Sequence, residues 1–233
     1  MKKLLFTLAL VAATGAAFAQ TTPAPVAAAA AAPAGYAEMM ASTIAAITST
    51  GDAAELGALA GKMERAAAVA PADWLPRYYQ AYALVLDVFQ SKENADAKDK
   101  TLDQAEAALA QARRLKGDES ELLTLQALVY QARLRVAPML RGEQYSGLVN
   151  EAVAQAKGLN PANPRAYLVG ANNVYYTPAE FGGGAAAAKS LYDEAQAKFT
   201  AFRPANALAP NWGQRQLLGR LAQYAPAAGQ AAR

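Results

Sequence analysis

The sequence predicts an all-α fold: a right-handed solenoid of about four helical hairpins closed by a C-terminal capping helix. Three observations predict it. Apolar residues, many of them alanine, recur at helical spacing through residues 36–224 with no alternating, strand-like run between them. Helix start and stop residues punctuate that stretch at intervals suited to short helices. Three helix ends also rhyme: Arg65-Ala-Ala-Ala-Val-Ala-Pro71, Gln111-Ala-Arg-Arg-Leu-Lys-Gly117 and Gln155-Ala-Lys-Gly-Leu-Asn-Pro161. In each, an alanine (Ala66, Ala112, Ala156) stands five residues before a turn residue. A period of about 45 residues with two helices per unit is the mark of a helical repeat, in which single hairpins cannot hide their apolar stripes and must stack.

The repeats follow an export signal. Met1-Lys2-Lys3, an apolar run from Leu4 to Ala16, and Ala17-Phe18-Ala19 make a signal peptide over residues 1–19, cleaved before Gln20. Residues 20–35 are Thr, Pro and Ala without charge and read as a disordered spacer. The formal charge of +3 falls to +1 once Lys2 and Lys3 are lost, leaving 20 basic against 19 acidic residues. That balance gives no reason to expect nucleic acid or an anionic membrane as partner, and since no later window approaches eighteen uninterrupted apolar residues, no stable membrane insertion is expected after cleavage. The chain has no Cys and no His. Disulfides, lipid attachment at Cys, thiolate or serine–histidine catalysis and the commonest transition-metal ligand are therefore excluded. The expectation is a periplasmic or secreted protein that is not an enzyme and has no cofactor or metal.

The helices follow in order. Tyr36, Met39, Met40, Ile44 and Ile47 share a stripe that Gly51 ends. Asp52 to Glu55 form a capping box for a second helix to Val69, and Pro71 closes it. Asp73 caps a third helix, whose stripe runs from Trp74 through Tyr78, Ala81, Tyr82 and Val85 to Phe89. Residues 91–98 read as a polar loop, and Thr101-Leu-Asp-Gln104 as the capping box of the fourth helix. Gly117 suits a left-handed helix end. Asp118 opens a fifth helix, which Pro138 ends. A turn containing Arg141-Gly142, pinned by the Arg141–Glu143 ion pair, leads to a sixth helix over 143–157. Asn163-Pro164 opens the seventh, to Tyr176. The loop 177–184 precedes an eighth helix ending near Phe202. A last helix, Trp212 to Tyr224, caps the open end before a flexible tail, 225–233.

The unit around residues 149–174 resembles the tetratricopeptide-repeat superfamily: Tyr167, Ala171 and Val174 match its first helix, and Val149, Val153, Ala156 and Pro161 its second. Trp74-Leu-Pro-Arg-Tyr-Tyr, Asn160-Pro-Ala-Asn-Pro-Arg165 and Phe181-Gly-Gly-Gly are also similar to exported bacterial repeat proteins of unknown function. The resemblance implies a scaffold whose concave groove, lined by the first helix of each hairpin, binds a protein or peptide segment of the cell envelope. Arg77, Tyr79, Gln80, Arg165, Asn172 and Tyr176 are its candidate ligand-binding residues. The alternative is a periplasmic solute-binding protein associated with a transporter.

Other candidates are weaker. Phe181-Gly182-Gly183-Gly184 could cradle an anion, but it follows a helix and lacks a P-loop's Lys-Ser/Thr, so a turn with Phe181 tucked into the core is preferred. Glu119 and Glu121 are neighbours on different helix faces and read as capping and surface residues. Asp96, Asp99 and Asp103 do not fit a calcium loop.

Overall fold

The computed structural model describes residues 33–224. The signal peptide, most of the 20–35 spacer and the 225–233 tail lie outside the described residues. Nine α-helices follow one another, with no strand among the described residues: α1 (Tyr36–Ser49), α2 (Ala53–Val69), α3 (Leu75–Gln90), α4 (Ala95–Arg114), α5 (Glu119–Val136), α6 (Pro138–Leu159), α7 (Pro164–Tyr176), α8 (Ala185–Ala201) and α9 (Gln214–Leu221).

Most boundaries obey local caps. The carboxylates of Asp52 and Asp118 accept from the amides of Glu55 and Glu121, and Asn163 accepts from Arg165. These bonds satisfy amides that a helix start leaves free. Three boundaries depart from expectation. Asn94, not Thr101, caps α4 by accepting from Ala97, so the polar loop shrinks to four residues and Thr101 sits inside the helix. Pro138 ends α5 but also takes the first position of α6, where its missing N–H costs nothing. The expected turn at Arg141-Gly142 is therefore helical, and Arg141 pairs with Asp99 instead of Glu143. At the end of α4 the left-handed residue is Lys116, not Gly117. Gly117 is needed for space: a Cβ there would stand 2.8 Å from the Trp74 ring.

Consecutive helices pack as α2 on α3, α3 on α4, α5 on α6 and α7 on α8, and α5 touches both α3 and α7. Hairpins thus stack side by side, and α3, α5 and α7 form a parallel row. One core runs through α1–α6 and takes in Val169 and Trp212. A second joins α7, α8 and α9 through Tyr167, Leu168, Tyr192, Phe199 and Leu217. No helix of the described residues is long and apolar enough to cross a membrane.

Candidate functional site

The starts of α3, α5 and α7 meet in a buried charged row. Arg165 of α7, 1% exposed, donates from Nη2 and Nε to Glu121 of α5 at 2.6 and 2.9 Å. The Tyr78 hydroxyl of α3 donates to the same carboxylate at 3.1 Å, and Trp212 Nε1 donates to Tyr78 at 2.8 Å. Burial works against the Arg165 cation, but the Glu121 charge and hydrogen bonds outweigh it and hold the guanidinium firmly protonated. Burial first, then Glu121, pushes the Tyr78 hydroxyl well above the usual phenol range. Glu121 is thus a core ion-pair member and not a surface residue.

Residues 202–213, the connector to α9, lie on this row. Phe202 covers the Arg165 guanidinium at 4.5 Å, the Leu208 carbonyl accepts from the Tyr79 hydroxyl at 3.1 Å, and Trp212 stacks on Tyr82 at 4.7 Å. Beyond it, Arg215 donates to the Thr48 carbonyl at the end of α1. The expected capping helix is present, since α9 packs through Leu217 on α7 and α8, but the chain that leads into it is a strap: Trp212 precedes α9 and turns back onto α3. The half of the inner face nearest the helix starts is filled by the chain itself.

The strap decides where the expected groove residues stand. Tyr79 and Arg165 are buried beneath it. Gln80 is buried and accepts from Arg77 at 2.7 Å. Asn172 is buried and accepts from the Tyr192 hydroxyl at 2.7 Å. Tyr176 is exposed, its hydroxyl accepting from Arg220 at 2.7 Å. Of the six, only Tyr176 presents most of its surface to solvent. Phe181 is 77% exposed and not tucked into the core. The amides of Gly182, Gly183 and Gly184 bond to the carbonyls of Ala179, Pro178 and Val174, which leaves none for an anion.

A hollow lies at the opposite ends of α3 and α5, beside the start of α4. Val88, Phe89, Ser91, Lys98, Ala132, Arg135 and Val136 line a cavity of about 90 Å³ there. The Arg135 guanidinium lies over the Phe89 ring at 5.7 Å. Just past Val136, the first turn of α6 shows Met139 and Leu140 to solvent, 96% and 89% exposed. Sequence reasoning missed this edge because Pro138 reads as a stop, which turns the apolar pair after it into loop residues. The signal was available in Pro at a first helical position followed by two large apolar residues.

A buried-to-surface ion network fixes that turn. Arg133 donates to Asp99 at 3.1 Å, Asp103 at 2.5 Å and Glu106 at 2.8 Å, while Arg141 donates to Asp99 at 2.8 and 2.7 Å. The Arg141 hydrogen bond, against a smaller opposing effect of burial, holds the Asp99 carboxyl below the usual range. The network ties α4 to α5 and to the first turn of α6, and so fixes the turn that carries Met139 and Leu140 soon after the cavity-lining Val136. Its carboxylates are spoken for, and no group of three metal-binding side chains occurs among the described residues.

No protein-family model matches the chain, and no curated protein matches it by sequence. Among solved structures, the HusA haemophore from Porphyromonas gingivalis is similar to it with a TM-score of 0.73. Sequence identity is 36%, over 82% of this chain and 94% of the haemophore chain. That protein is named for carrying a ligand and not for catalysing a reaction. A match of this identity across nearly the whole of the other chain is more than a shared architecture, and the chain belongs to the same family as the HusA haemophore.

Proposed function

We propose that the chain is an exported carrier of haem or a related porphyrin, built on tetratricopeptide-like hairpins. The observation that carries this reading is the likeness to a haemophore over 94% of that protein. The signal peptide at 1–19 delivers the carrier to the periplasm or beyond, the spacer 20–35 precedes the helical domain 36–224, and the tail 225–233 follows it.

The chemistry of the chain constrains how the cargo is held. Haem iron is usually bound through His, Cys, Met or Tyr. His and Cys are absent, and the exposed Tyr176 already accepts from Arg220. The edge exposes one side chain of these types, Met139, whose thioether is a weak acceptor, so recognition rests on the macrocycle, through its apolar faces, more than on the metal. The cavity of about 90 Å³ is far below the roughly 300–1,000 Å³ of clefts that enclose a ligand of comparable size. The ring therefore lies on the open edge, against Phe89, Val136, Met139 and Leu140, with part of it in the cavity. Burying apolar area at about 25 cal/mol per Å² supplies the driving force.

The scaffold reading through the inner groove loses its surface to the strap, since Leu208 and Trp212 already occupy the place a peptide would take. The test is titration of the mature protein with haem and with metal-free protoporphyrin, followed by the porphyrin absorbance band. Both bind, with affinities of the same order. Binding of neither overturns the reading, and binding of haem alone overturns the metal-independent mode.

A further inference from the structure

Two cations at this edge stand outside the ion-pair network that surrounds them. Arg133 and Arg141, close by, are fully engaged by Asp99, Asp103 and Glu106. Lys98 and Arg135 line the cavity beside Val88, Phe89, Ala132 and Val136, and among the described residues neither forms a salt bridge with a carboxylate. A hollow with apolar side chains on part of its wall and two cations outside any salt bridge on the rest suits a ligand whose short apolar arm ends in a carboxylate. We infer that this cavity is a carboxylate subsite: it takes one acid side arm of the cargo, with Arg135 and Lys98 pairing the carboxylate and Phe89, Val88 and Val136 packing the arm.

The inference rests on the porphyrin reading and deepens it, because it states which porphyrins are taken. Size agrees. The hollow is too small for a macrocycle but holds an arm of the length of a propionate. The geometry of the cations agrees as well. Arg135 stands over the Phe89 ring with its guanidinium carbon 5.7 Å from the centroid, and a guanidinium can meet a carboxylate with two parallel hydrogen bonds. Lys98 is shared between this cavity and a neighbouring hollow lined by Asp87, Glu93 and Thr101. The two carboxylates of that hollow repel an incoming anion and direct the arm toward Arg135. Ser91 stands in both hollows and can donate its hydroxyl to the ligand carboxylate. The arm anchors one edge of the ring, and the ring then covers Met139 and Leu140.

The experiment compares protoporphyrin as the free diacid with its dimethyl ester, on the mature protein and on Lys98→Gln, Arg135→Gln and the double variant. The free acid binds the unaltered protein at least about tenfold more tightly than the ester, a difference of about 1.4 kcal/mol. The double variant loses that preference through weaker binding of the acid, while the ester binds as before. Unchanged thermal unfolding of the variants separates lost recognition from lost fold. Equal binding of acid and ester by the unaltered protein overturns the subsite and leaves the porphyrin reading standing, as does a preference that survives in the double variant. Failure of both compounds to bind overturns the porphyrin reading itself, and the subsite with it.

Discussion

The indole N–H of Trp212 reaches the hydroxyl of Tyr78, 134 residues away in sequence, at 2.8 Å. Tyr78 in turn donates to Glu121, which holds Arg165. A strap near the C-terminus is thereby joined to the starts of three separate hairpins by one chain of buried hydrogen bonds. In a stack whose units touch only their neighbours, such a tie makes distant units unfold together. The inner face at the helix starts is for this reason a structural element, and the proposed ligand surface lies instead where α3 and α5 end.

Removing the indole tests the tie. Trp212→Ala takes away a buried ring stacked on Tyr82 and leaves Tyr78 without its donor. Truncations of this kind cost about 3–5 kcal/mol. Tyr78→Phe removes only the hydroxyl, stranding a buried indole N–H and one carboxylate contact, at about 1–3 kcal/mol. Urea unfolding measures both. A loss below about 1 kcal/mol for Trp212→Ala would show that the strap is peripheral.

Helix ends governed by a neighbouring side chain were legible in the sequence, because Asp52, Asp118 and Asn163 cap amides two or three residues away. Ambiguity entered where two local signals competed. Asn94 and Thr101 both suit a helix start, and Pro138 both ends one helix and begins the next. The inner face could not be read at all. Glu121 and Arg165 meet across 44 residues, and no spacing rule couples them. A strap that doubles back on α3 has the same composition as an end cap, so Tyr79, Arg165 and Asn172 were expected to line a groove in which they are buried. The exposed edge was hidden by both ambiguities, since Lys98 fell in the expected loop and Met139 and Leu140 after the expected stop.

The Glu121–Arg165 pair separates breaking from replacing. Arg165→Met leaves a buried carboxylate with only Tyr78 as donor, and Glu121→Leu leaves a buried guanidinium with no acceptor. Each single change costs about 3–5 kcal/mol, whereas the double change costs much less than the sum, since no unpaired charge remains. A double-mutant cycle by urea unfolding gives the coupling. Simple additivity would mean that the two charges do not sense one another.

Alkaline pH tests the buried tyrosines. Burial is the first cause in raising the hydroxyls of Tyr36, Tyr78, Tyr79, Tyr82 and Tyr192 far above their ordinary range, and at Tyr36 the Asp73 carboxylate adds to it. The folded protein keeps these phenols protonated where the unfolded chain ionises them, near pH 10 by reference values. Their contribution is complete below that pH and is lost as pH rises above it, each group adding up to about 1.4 kcal/mol per pH unit to the decline. Urea unfolding across that range shows stability falling steeply above pH 10. Tyr82→Phe makes the fall shallower. A flat profile, or one as steep in Tyr82→Phe, contradicts the assignment.

The open edge is tested by placing charge on it. Met139 and Leu140 are almost wholly exposed, so Met139→Asp and Leu140→Asp leave stability within about 0.5 kcal/mol of the unaltered protein. If the macrocycle covers them, each carboxylate must be desolvated against an apolar ring, which costs more than the contact it replaces. Porphyrin affinity then falls by about tenfold or more in either variant, with metal-free and iron-bound rings affected alike. Tyr176→Ser, at the end of α7, serves as the comparison: it removes an exposed aromatic that lies outside the cavity wall, and affinity stays within about twofold. Loss of binding in Tyr176→Ser with none in the Asp variants would move the porphyrin from the α5–α6 turn to the end of α7.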